Sequence, residues 1–125
     1  MAQIVEDYVS FETAKLLREK RFKEPTLAYA YGQDMVAYYS QPRITDDYNV
    51  EVGRYPLPTL QMACKWLREV HNLFIEMHIQ NNGSYIGYIY NTNGFGLIGW
   101  DKRRVSSSYE QACEAAIKFC LENLI

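Results

Sequence analysis

The chain has 125 residues, 48% of them apolar, and a formal net charge of −2 from 13 basic and 15 acidic side chains. That length suits one domain able to bury roughly two thirds of its unfolded surface without staples, and the apolar content excludes a disordered chain. The near balance of charge excludes bulk attraction to nucleic acid or anionic membrane, so any such contact needs a local patch.

The first nine residues are a lead-in, with Ile4 and Val5 as a short edge strand. Ser10 is placed to cap a helix over 11–21, with Phe11, Ala14 and Leu17 on one face and Lys15, Arg18 and Glu19 on the other. Strands follow over 26–31 and 35–40, joined by a hairpin turn at Gly32-Gln33-Asp34. In the first, Leu27, Tyr29 and Tyr31 share a face, and the alanines opposite, Ala28 and Ala30, let a helix approach closely. Residues 41–58 read as a long irregular connection carrying Pro42, Gly53, Pro56 and Pro58, with a short strand over 48–52. Connections of this length are often functional.

Thr59 introduces a helix to about His71, with Leu60, Ala63, Cys64 and Leu67 as its apolar stripe, widened by Trp66 and Val70. Residues 73–80 alternate, with Leu73, Ile75, Met77 and Ile79 facing one way and Glu76, His78 and Gln80 the other. Asn82-Gly83 signals a hairpin, 84–90 the next strand, Asn93-Gly94 the next turn, and 95–100 a third strand. Ser107 and Glu110 have capping-box spacing before a last helix. Its broad apolar face includes Tyr109, Ala112, Cys113, Ala116, Ile117, Cys120, Leu121 and Leu124. The expectation is one α+β domain over 1–125, of order αββ–αβββα, an antiparallel sheet with three helices mainly on one face.

No apolar run approaches the roughly 18 residues of a membrane span, and the N-terminus lacks a signal peptide's basic start and apolar core. A cytoplasmic protein is expected. Cys64, Cys113 and Cys120 are an odd number without C-x-x-C spacing, each in a helical apolar stripe, where free cysteine acts as a small hydrophobe.

The run of helix, three strands and helix resembles the double-stranded-RNA-binding domain. The alanine-rich string from Gln111 to Lys118 is similar to that family's second helix. That family sets phosphate-gripping lysines where this chain has Tyr109, Glu110 and Gln111, and a Pro-His loop where it has Asn81-Asn82-Gly83-Ser84. Longer strings cover the start, middle and end of the chain. They run from Asp7 to Leu17, from Pro58 to Ala63 and on through Trp66 to His71, and from Tyr109 to Ala116. In these the chain resembles a family of small uncharacterised proteins from gut Bacteroidales and their phages. The resemblance implies a bacterial or phage origin and an intracellular location, and brings no activity with it.

Three groups of residues invite a function. Lys102, Arg103 and Arg104 precede the serines that start the last helix, Ser107 among them. Free N–H groups there, with three cations upstream, would attract phosphate or a nucleic-acid backbone. Against this stands a solvated loop with an ordinary cap. Tyrosine is the compositional outlier, with 11 copies. Tyr85, Tyr88, Tyr90 and Trp100, with Tyr29 and Tyr38, would build an aromatic sheet face for a protein partner, a second copy, or stacked bases. The plain alternative is sheet packing. Asp46, Asp47 and Glu51 lie in the long connection, where a polar loop outweighs a metal site.

Cys64 and His71 are about 10 Å apart along their helix, too far for a catalytic pair. Cys113 and Cys120 have the same spacing and cannot bridge each other. His78 reads as a surface strand residue. There is no P-loop, dinucleotide fingerprint, H-E-x-x-H or G-x-S-x-G. No catalytic residue, cofactor, metal or membrane contact is therefore expected. The leading reading is a non-enzymatic interaction or regulatory protein of phage or mobile-element type, binding a protein partner or itself. The second is nucleic-acid binding through Lys102, Arg103 and Arg104. The third is a small enzyme using loop 41–58.

Overall fold

A computed structural model describes residues 6–45, 53–91, 96–99 and 105–125. Several expectations lie outside them: the strand at Ile4 and Val5, the strand over 48–52, Asp46, Asp47 and Glu51, the turn at Asn93-Gly94, Trp100, and Lys102, Arg103 and Arg104.

The class is α+β, and the order of elements follows the expected one closely. The strands, however, form two antiparallel sheets rather than one. The chain divides correspondingly into two compact units, residues 1–59 and 60–125. The reason is local pairing: each strand finds partners within its own half, the usual preference of consecutive elements.

The first unit holds α1 (Phe11–Glu19), β1 (Thr26–Gly32), β2 (Met35–Arg43) and β3 (Tyr55–Leu57). Ser10 caps α1, its hydroxyl accepting from the Thr13 amide. The helix stops two residues before the expected end because Arg21 takes a left-handed conformation (φ 66°). Arg21 N–H then donates to Arg18 C=O and Phe22 N–H to Leu17 C=O, closing the end. Phe22 is buried there.

Strand β1 lies between β2 and β3. The third strand was read as loop because of Pro56, but an edge strand tolerates a residue without an N–H. Pro42 sits in β2, the other edge. Ala28 and Ala30 are fully buried on the face toward α1, as their size allows. Tyr55, opposite Ala30, meets the Phe11 ring edge-on at 5.4 Å.

The second unit holds α2 (Leu60–His71), β4 (Leu73–Ile79), β5 (Tyr85–Asn91), β6 (Gly96–Gly99), β7 (Val105–Ser106) and α3 (Tyr109–Asn123). Asn72, left-handed at φ 58°, ends α2 and starts β4 at once. β4 pairs along all of β5, and β6 and β7 share the other edge of β5. The loop between β4 and β5 is a turn over Gln80–Gly83 with Gly83 at φ 85°, closed by Gly83 N–H to Gln80 C=O and Gln80 N–H to Ser84 C=O.

Both helices pack on this sheet, α3 against β4 and β5 and α2 against β4. Leu67, Ile89, Ala116, Ile117 and Leu121 are fully buried between them. Trp66 joins this core, whereas Val70 faces outward. The cap of α3 is Ser108, not Ser107: its hydroxyl accepts from the Gln111 amide and donates to Glu110. Ser107 is exposed.

Candidate functional site

The N-terminal sheet turns one face to α1 and leaves the other without a helix from its own unit. Alternation along β1 sends Leu27, Tyr29 and Tyr31 to that free face, away from the buried alanines. Leu27 is 42% and Tyr31 48% exposed. Between Tyr38 and Arg43, β2 carries extra residues against β1. Tyr39 shares a face of β2 with Ala37, the residue opposite Tyr29, and its ring centre lies 4.7 Å from that of Tyr29 with the planes tilted by 31°. Tyr31 flanks Tyr29 at 6.3 Å.

Two cations complete the face. The Arg43 guanidinium lies 5.2 Å from the Tyr39 ring centre, and that of Arg54 5.1 Å from the Tyr29 ring. A guanidinium over a ring is attracted by the negative ring face and carries five N–H donors with which to meet acceptors. Tyr39 is fixed at its hydroxyl by Thr45, at 3.2 Å. The result is three tyrosines, two arginines and a leucine on one surface. Tyrosine and arginine carry much of the energy at binding interfaces.

Of the tyrosines named from sequence, Tyr29 belongs to this face. Tyr38 does not: it stands opposite Ala28 on the α1 side and meets the Tyr8 ring at 6.1 Å. Tyr31, Tyr39, Arg43 and Arg54 were missed. The alternation of Leu27, Tyr29 and Tyr31 against alanines was a usable signal for Tyr31. Parity along β2 was likewise a usable signal for Tyr39, whereas nothing local announces the bulge that sets Arg43 opposite Thr26.

The three tyrosines of β5 are divided between its two faces, Tyr85 on one and Tyr88 and Tyr90 on the other. Tyr85 stands opposite Ile79 and packs edge-on against Tyr109 of α3, at 5.8 Å. Tyr88 and Tyr90 point the other way, opposite Glu76 and Phe74. There His78 meets the Tyr88 ring edge-on at 4.8 Å, and its Nε2 lies 2.9 Å from Glu76 Oε1. Burial, reinforced by the Glu76 carboxylate and its hydrogen bond, pushes the Tyr90 hydroxyl above the usual phenol range. Ile86 is on this same face, opposite His78, and is fully buried. The face is therefore partly covered and is a weaker candidate than the N-terminal one. Trp100 lies outside the described residues.

Lys102, Arg103 and Arg104 also lie outside them, so only Ser107 of that group is placed. A cleft of about 310 Å³ borders the long connection, lined by Arg18, Arg21, Phe22, Lys23, Thr45 and Pro56. Its described polar lining is cationic apart from Thr45, and among the described residues that line it there is no carboxylate, histidine or thiol to act as a base. Arg18 crosses beside it, donating to the Arg54 carbonyl, with its guanidinium 5.0 Å from the Tyr55 ring centre. Among the described residues, no group of three histidine, cysteine or acidic side chains could hold a metal ion. None of their helices is long and apolar enough to cross a membrane. No protein-family model, curated protein or solved structure matches the chain.

Proposed function

We propose that this is a non-enzymatic interaction or regulatory protein of phage or mobile-element type, acting in the cytoplasm by binding a protein partner. The observation that carries this reading is the face formed by Leu27, Tyr29, Tyr31 and Tyr39 with the guanidinium groups of Arg43 and Arg54 over two of the rings. Tyrosines held against one another and against arginines lose little conformational freedom on binding. The guanidinium edges favour a partner that brings carboxylates or backbone carbonyls beside apolar side chains. A second copy of the chain is the other protein that could meet this face.

The test is capture of the partner from the native host by the tagged protein, compared with a Leu27→Ala, Tyr31→Ala double variant. Both side chains are exposed, so the variant keeps its core. The expected result is a protein partner, insensitive to nuclease, whose binding weakens more than about tenfold in the variant. Undiminished binding by the variant overturns the assignment of the face. Binding abolished by nuclease, and by alanine at Lys102, Arg103 and Arg104, replaces it with the nucleic-acid reading.

A further inference from the structure

The three cysteines occupy helical apolar stripes, and packing of α2 on α3 brings two of them together. Cys64 Sγ and Cys113 Sγ are 3.6 Å apart, although the residues are 49 positions apart in sequence. Both are free thiols. We propose that Cys64 and Cys113 are an oxidisable dithiol, which hydrogen peroxide converts to a disulfide joining α2 to α3.

The two sulfurs have different environments. Cys113 is buried, whereas Cys64 is partly exposed and open to a small oxidant. A hydrogen bond from Cys113, with a smaller contribution from Arg68 one turn further along α2, lowers the Cys64 thiol below its ordinary range; burial and Cys120 oppose this. The same hydrogen bond, with burial and the carboxylates of Glu114 and Glu110, holds the Cys113 proton well above that range. Cys64 is thus the attacking thiolate and Cys113 the resolving thiol.

In the first step the Cys64 thiolate attacks one peroxide oxygen. An S–O bond forms and the O–O bond breaks. Hydroxide leaves and takes a proton to become water. Cys64 is then a neutral sulfenic acid, and the negative charge that held the Cys113 proton is gone. Cys113 sulfur attacks Cys64 sulfur, the S–S bond forms, the S–O bond breaks, and the leaving hydroxide departs as water with the Cys113 proton. Two thiols lose two electrons and the peroxide is reduced to two waters. The sulfurs must close by about 1.5 Å to reach bonding distance.

The test uses the full chain, reduced, exposed to hydrogen peroxide, quenched by denaturation in N-ethylmaleimide and mapped without reduction by mass spectrometry. The expected product has lost two hydrogens, links the Cys64 and Cys113 peptides, leaves Cys120 labelled, and reverts with dithiothreitol. In Cys113→Ser, Cys64 should instead be trapped by dimedone as the sulfenic acid. The wild-type link alone decides the question if that variant does not fold. Labelling of both cysteines after peroxide overturns the proposal. So does a disulfide through Cys120 or between molecules, or passage of wild-type Cys64 to the sulfinic acid.

Discussion

At Gly87 the missing side chain is what lets α3 seat on the sheet. A Cβ there would lie 2.9 Å from Ala116 Cβ, 3.3 Å from Met77 Sδ and 3.4 Å from Ile75 Cγ2. Ala116 Cβ is fixed to the helix backbone and cannot swing aside, so Gly87→Ala must push α3 outward. The expected loss is about 1–3 kcal/mol, read from the denaturation midpoint; an unchanged midpoint would mean that the helix is not seated there. Single residues also decide the helix ends. Arg21 and Asn72 both take the left-handed conformation after a helix, but asparagine does so far more readily than arginine. The end of α2 was therefore legible at His71 and that of α1 was not. Parity was legible too: Tyr85 is three residues from Tyr88, so alternation alone sets them on opposite faces of β5.

At the scale of elements, caps and edges account for most differences between expectation and structure. Both Ser107 and Ser108 are capping types, and each has a suitable residue three positions on, Glu110 or Gln111. Only Ser108 accepts from the α3 backbone, and Ser106 completes the arrangement by donating to Gln111 at 2.9 Å. Ser108→Ala should cost about 1 kcal/mol of stability, and Ser107→Ala less than about 0.5 kcal/mol. Thermal melts of the two variants separate the assignments, and the reverse order would return the cap to Ser107. The strand β3 was hidden for a related reason. Prolines mark loops in most sequences, yet on a sheet edge the absent N–H faces no partner. Whether 55–57 is an edge depends on what pairs with β1, which composition does not encode.

At the scale of the whole molecule, 13 cations against 15 anions leave no large field to steer association. Binding through the Tyr29, Tyr31 and Tyr39 face should then depend weakly on salt. Raising salt fourfold from about 50 mM should change the partner's affinity by less than about tenfold. A nucleic-acid contact in which Lys102, Arg103 and Arg104 neutralise three phosphates would fall by roughly fortyfold over the same range, and one through six or more phosphates by roughly 10³. Titration at two salt concentrations distinguishes them.

Hydrophobic period, turn residues and capping types, all short-range signals, determined the α+β class, three helices and most strands. These signals reside in a few consecutive side chains and survive without tertiary context. Which strands share a sheet, which tyrosines share a face, and which cysteines meet were decided only by the tertiary structure. Two sheets formed because β1 and β5 each filled both edges from their own half. The pairing of β1 with β2 set Tyr39 beside Tyr29, and Cys64 met Cys113 because α2 packs on α3. Each of these is a relation between residues distant in sequence, made by burial of apolar surface that is indifferent to which polar or reactive groups it brings along.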